Sequence, residues 1–230
     1  MNQFFQQSMF AGVALSLISY GIGVLLKKKF KLGILNPLLI SIIISILVIV
    51  IGNIDYDTYN DSSKILSWLL TPATVSLAIP LYEQLPLLKK HFKAVIAGLV
   101  AGTLTSLTTV FALALILGLS HKEYVTLLPK SITTAIGMGV SEELGGYVTI
   151  TVAVIIVTGV IGNIIGETIC KIFGIKEPIS KGLAFGASAH AIGTSKAMEL
   201  GDIEGAMSGL AIAVSGILTV ILASIYACFL

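Results

Sequence analysis

Apolar residues in this chain gather into long runs separated by short polar stretches, and the run lengths decide what they build. Met1 to Leu26, Leu32 to Ile54, Ala94 to Ser120 and Gly205 to Leu230 carry no charge. Each exceeds the roughly 20 residues that cross a bilayer's hydrocarbon core. Leu144 to Gly166 is comparable. Two further apolar segments are interrupted: Thr71-Pro72-Ala73-Thr74-Val75-Ser76-Leu77-Ala78-Ile79-Pro80 and Gly186-Ala187-Ser188-Ala189-His190-Ala191-Ile192-Gly193-Thr194-Ser195. Lipid cannot satisfy a backbone amide or carbonyl, so a helix broken at that depth must lie against protein or a watered cavity. The pattern predicts an all-α, polytopic membrane protein. It has about seven crossings plus a re-entrant element, arranged as an inverted repeat with two broken helices.

The polar stretches set the direction of each run. All 14 basic residues are lysines, ten of them grouped at 27–31 and 89–93 or single at 171, 176 and 181, whereas acidic residues gather in Asn53 to Asp61 and Glu199 to Glu204. Lysine-rich ends face the cytoplasm. Residues ~9–26 then run inward, ~34–52 outward, ~64–88 inward with a break and ~94–119 outward. The remainder follows as ~147–172 inward, ~180–200 outward with a break and ~205–230 inward. No positive charge precedes the first run, so it is expected to stay as a helix rather than act as a cleaved secretory leader. Residues 125–146 begin with Pro129 and Lys130 and end on Glu142, Glu143, Gly145 and Gly146. Proline at a helix start, glycine at its end and charges inside the segment predict a re-entrant element rather than a crossing.

On this path 34–52, 64–88 and 94–119 correspond to 147–172, 180–200 and 205–230, each pair running in opposite directions. Ile51-Gly52-Asn53 against Ile161-Gly162-Asn163 supports that register. A single membrane domain over 1–230 is expected, with one repeat at about 9–119 and the other at about 125–230.

Matched interrupted segments are where transporters place their solute. Pro72 and Pro80 lack amide protons and disrupt a helix. Thr71, Thr74 and Ser76 offer hydroxyls beside the freed backbone. In the second segment the break is expected near Gly193-Thr194-Ser195, with Ser188, Thr194 and Ser195 offering hydroxyls. His190 titrates near neutrality and could bind a solute or carry a proton. Thr133 and Thr134, inside the re-entrant element, are expected to line the site with these residues. Lys196 could offer a positive charge to an anion, as could Lys130, or either could reach for the interface. Glu142 and Glu167 are candidate sites for a coupling ion or proton. Helix amino ends suit a carboxylate and unwound carbonyls suit a cation, so a small anionic solute is inferred.

Composition narrows the field further. The chain of 230 residues is 56% hydrophobic and 11% charged, with a net charge of +2 and a mean hydropathy of +1.00. Soluble domains carry roughly 25% charged residues, so this chain could not cover itself in water. The net charge argues against nucleic acid. Cys170 and Cys228 have no metal-ligand spacing and read as small apolar residues. With no phosphate-binding glycine loop and no catalytic constellation, no enzyme, catalytic residue, metal or cofactor is expected. A homodimer is expected by analogy with transporters that move one rigid part against a static one.

Three motifs are also familiar together: Leu69 to Tyr82, Leu128 to Ile136 and Gly182 to Thr194. They resemble the LrgB/CidB family of bacterial membrane proteins, labelled antiholin-like, with the YohK-like subgroup nearest. The resemblance covers essentially the whole chain. It implies a multi-pass protein of the bacterial inner (cytoplasmic) membrane and leaves two functions open. One is regulation of murein hydrolase activity and lysis with a small LrgA/CidA-type membrane partner. The other is transport of small carboxylates, pyruvate, lactate or glycolate in class. The residues favour the transporter, working by alternating access.

Overall fold

The computed structural model describes residues 2–8, 10–30, 37–76, 79, 82 and 85–230, and its described elements are all helical. The chain divides into two compact units, Met1–Ser76 and Leu77–Leu230. That boundary falls well before the 119/125 division expected between two repeats.

The first unit holds α1 (Asn2–Gln7), α2 (Ala11–Phe30), α3 (Pro37–Ile51), α4 (Tyr56–Ser62) and α5 (Lys64–Ser76). Small residues let α2 approach its neighbours: a Cβ on Gly23 would lie 2.8 Å from Pro37 Cα. The Gly12 amide donates to Ser62 Oγ at 3.1 Å and Ser16 Oγ meets Tyr59 Oη at 2.9 Å, tying α2 to α4. Helix α5 runs through Pro72 to Ser76. The chain is therefore helical over 71–76, where an unwound turn was expected. Pro80, with 77–78, 81, 83 and 84, lies outside the described residues.

The second unit contains α6 (Leu85–Leu117), α7 (His121–Leu127), α8 (Thr134–Glu143), α9 (Val148–Ile172), α10 (Pro178–Leu200) and α11 (Asp202–Tyr226). Among the described residues, four helical stretches are long and apolar enough to cross a membrane: Ala11–Phe30, Lys89–Leu117, Val148–Ile172 and Asp202–Phe229. Pro37–Ile51 is apolar but shorter. In the second unit α6 and α11 run side by side in the same direction. Val95 and Leu99 pack with Ala211 near their beginnings, and Leu107, Val110 and Ala114 pack with Ala223 and Ala227 near their ends.

Two segments of this unit enter and turn back. Helix α7 opens on a capping box in which Ser120 and Glu123 each accept from the other's backbone amide. After the turn at 128–133, α8 returns. The last turn of α7 and the last turn of α8 are both pinned to the start of α9: the Tyr147 amide donates to Thr126 Oγ1 at 2.8 Å, and Thr151 Oγ1 donates to Ser141 Oγ at 2.7 Å. At the turned end Ser131 Oγ lies 3.2 Å from Ser106 Oγ of α6. Ser106 lies about 11 residues, or ~16 Å, inside the helix end at Leu117. The chain therefore turns back within 121–147 near Pro129, with Lys122 over the Tyr147 ring at 4.3 Å.

The second reversal corrects the sequence reading. Helical backbone continues on both sides of His190, but His190 itself has φ 42° and ψ −136°. A Cβ on Gly193 would lie 2.5 Å from Phe185 O. Residues eight apart in a continuous helix are separated by about 12 Å along its axis, so the chain has folded back on itself. The arms 178–189 and 191–200 form a helical hairpin, with the reversal at His190 rather than at Gly193-Thr194-Ser195. Its ends share one side of the unit, so 180–200 makes no crossing. As a result α11 starts at the lysine-bearing end and runs away from it, opposite to the inward direction expected for 205–230.

Glycine makes this packing possible. A Cβ on Gly186 would lie 2.7 Å from Ala211 Cβ, one on Gly205 2.9 Å from Met198 Cγ, and one on Gly162 2.5 Å from Ala189 Cβ. The first arm is thus parallel to α11, the second antiparallel to it, and α9 covers the other side.

Candidate functional site between two hairpin tips

The two hairpins enter the second unit from opposite ends and meet at one residue of α9. Ile155 is fully buried. Its Cδ1 fills the space over Gly137, in the first turn of α8. Its carbonyl oxygen accepts from His190 Nε2 at 3.0 Å. That bond requires a proton on Nε2 and leaves Nδ1 without a hydrogen-bond partner among the described residues. The imidazole sits directly on α9 because residue 159 is glycine: a Cβ there would lie 2.8 Å from Nε2 and Cε1.

Side chains absorb the backbone groups that the reversal frees. Thr194 Oγ1 donates to His190 O at 3.0 Å and meets Ser208 Oγ of α11 at 2.7 Å. Asn163 Nδ2 donates to Ile192 O at 2.7 Å. Buried backbone polar groups need such partners. His190, Thr194 and Ser208 are all buried.

Helix polarity gives the tips their electrostatics. Helix α8 begins at the first tip, with Thr133 as its N-cap and no side chain bonded to the cap amides. The second arm of α10 begins at the other tip, just after His190. The amino end of α8 presents uncapped amides, and each amino end carries about half a positive charge. Both therefore direct positive potential toward the level of Ile155, an arrangement suited to a small anion.

The structure brings Thr133, Thr134, His190 and Thr194 to these tips. Ser188 and Ser195 lie on exposed faces of the α10 arms and bond back to Ala184 O at 2.6 Å and Ala191 O at 3.3 Å. Lys196 sits 3.4 Å from Glu167 and 3.2 Å from Glu199, while Glu167 also pairs with Lys171 at 2.8 Å. These charges bind the second arm to α9 at the lysine-bearing end, away from the tips. Glu142 is exposed near the opposite end of α8. In the first unit Ser76 Oγ donates to Pro72 O at 2.8 Å. The side chains of Thr71 and Thr74 lie outside the described residues.

Ile155, Gly159, Asn163 and Ser208 were not read from the sequence as site residues. The signal was present: Gly159, Gly162 and Gly166 with Asn163 form one small, polar stripe inside an otherwise apolar run.

A model of the LrgB-like family matches residues 16–229. The chain belongs to the LrgB-like family. It is similar to "Antiholin-like protein LrgB" from Bacillus cereus (strain B4264), with 37% identity over 220 residues covering 95% of this chain and 96% of that protein. The protein of the same name from Bacillus anthracis (strain CDC 684 / NRRL 3495) matches with the same identity and coverage. No solved structure matches. As an LrgB-like protein this is an all-helical membrane protein with bacterial relatives, and family membership extends across both units described above.

Proposed function

We propose that this protein carries small monocarboxylates of the pyruvate, lactate or glycolate class across the bacterial inner membrane. The observation that supports this reading is the meeting of two opposed hairpin tips at Ile155, with helix amino ends and His190 at the same level. Non-helical backbone at membrane depth is tolerated where it is buried in protein or lines a cavity. Segments entering from opposite sides are the usual device for exposing one site to each side in turn. The pairing of two halves as an inverted repeat, and a homodimer, belong to the same proposal.

Purified protein reconstituted in liposomes is expected to take up labelled pyruvate, lactate or glycolate. His190→Ala is expected to cut that flux about tenfold, the size of one lost hydrogen bond at the upper end of the neutral range. The variant must still elute as a folded species. Flux no greater than in empty liposomes for all three acids would overturn the reading.

A second reading rests on the relatives. Their printed name, antiholin-like, supports a regulator of murein hydrolase activity and lysis acting with an LrgA/CidA-type membrane partner, and it does so more directly than it supports carboxylate transport. Changed autolysis on deletion, with co-purification of the holin-like partner and no carboxylate flux from the pair, would select it.

A further inference from the structure

One charged group near the tips is left unneutralised. Lys130, half-buried at the turned end of the α7–α8 hairpin, donates to Ser131 Oγ at 2.9 Å and to Ser106 Oγ at 3.2 Å. The two hydroxyls are themselves 3.2 Å apart. Among the described residues no carboxylate pairs with Lys130, whereas the half-buried Lys196 is held by both Glu167 and Glu199. Ser131 is only 8% exposed, so the ammonium rests on a nearly closed floor. Removing an ammonium from water is costly unless an opposite charge compensates it.

The hydrogen-bond inventory shows what is missing. An ammonium has three donors and each hydroxyl one. Two N–H groups reach the serines, and one hydroxyl proton joins Ser106 to Ser131. One N–H and one O–H are left over at the same place. Two adjacent, rotatable donors can serve the two oxygens of a carboxylate. Helix α8 begins three residues beyond Ser131, and its uncapped amides add positive potential of the same sign. A lysine near a helix amino end is disfavoured on its own and favoured once an anion lies between them.

We infer that Lys130, Ser106 and Ser131 form the seat for the carboxylate of the solute, with α8's amino end as its second wall. This assignment rests on the carboxylate reading above and names its anchoring residue as Lys130 rather than Lys196. The ligand class is a small monoanion bearing a planar carboxylate. His190, on the opposing tip, is left to contact another part of the solute.

The test uses the full-length protein in detergent and follows thermal unfolding with pyruvate or with its neutral analogue pyruvamide. Pyruvate is expected to raise the midpoint of the wild type and of Lys130→Arg, and pyruvamide is not. In Lys130→Met the pyruvate effect is expected to vanish while the ligand-free midpoint equals or exceeds that of wild type, since a buried unpaired charge has been removed. Ser131→Ala is expected to weaken the pyruvate effect without removing it. In liposomes Lys130→Met should lose at least about tenfold in pyruvate flux, and Lys171→Ala should retain it. An undiminished pyruvate shift in Lys130→Met overturns the assignment, as does a wild type that pyruvate leaves unshifted. A lysine that serves only to cap α7 would lower the ligand-free midpoint and spare the pyruvate shift. Labelling of Ser131 or Ser106 by a fluorophosphonate would instead reveal a lysine-activated serine nucleophile and also overturn it. A Lys130-dependent shift without flux would leave the seat standing and remove the transport reading.

Discussion

At the residue scale, His190 joins a demand of the fold to a candidate chemistry. Its φ of 42° and ψ of −136° lie in a region that glycine enters freely and other residues enter at a cost of about 1–3 kcal/mol. Glycine would seem the natural residue at the reversal. His190→Gly is expected to relieve that strain while giving up the bond to Ile155 O, itself worth about 1 kcal/mol. Its unfolding midpoint should fall close to or above that of wild type, and carboxylate flux should be lost. His190→Ala keeps the strain, loses the bond and should unfold at a lower temperature than either. Thermal unfolding and flux on the three proteins check both parts. A stable but inactive glycine variant is the pattern of a residue kept for function at the expense of stability.

At the element scale, the two hairpins differ in how far the sequence announced them. The α7–α8 hairpin could be read because its signals are local: Pro129 at the turn, charges that a crossing would not carry, and Gly145 at the exit. The α10 hairpin could be read as a break but not as a reversal. Gly182, Gly186 and Gly193 announce close packing, yet a stretch of that length also fits a kinked crossing. What turns it back is tertiary: the His190 ring on Gly159, Asn163 on Ile192 O, and Ser208 between the arms. None of these contacts is local in sequence. The candidate site was legible in the same measure, since Thr133, Thr134, His190 and Thr194 stood out by residue type while Ile155 is an ordinary isoleucine until its carbonyl is placed. The entry to α7 also yields a pH test. Ser120's hydroxyl and amide hold the Glu123 carboxyl below its ordinary value. The contribution is therefore present above the unfolded value of about 4.3 and is lost as pH falls through the lower folded value. Amide protection at 120–124, followed by hydrogen exchange, should decline in that acid range. Glu123→Gln should have lower protection at neutral pH and no such decline.

At the scale of the whole molecule, the hairpin at His190 reverses the orientation of everything after it. Lys89, Lys90, Lys93, Lys171 and Lys181 mark one end of the second unit, where a cavity of about 560 Å³ opens between Leu87, His91, Glu177, Pro178 and Ile203. With that end in the cytoplasm, α11 carries Cys228 to the opposite face. Cys228 is exposed and Cys170 is buried. A membrane-impermeant maleimide added to intact spheroplasts should therefore label Cys228, and Cys228→Ser should abolish the labelling. A cysteine reached only after lysis would restore the inward course read from the sequence. On the carrier reading proposed above, a solute that passes Ile155 crosses the membrane voltage. One elementary charge crossing it exchanges about 2.3 kcal/mol with each 100 mV. In an inside-negative cell, a lone organic anion moving without a companion ion would be driven outward, so the resting voltage alone would make such a path an exit.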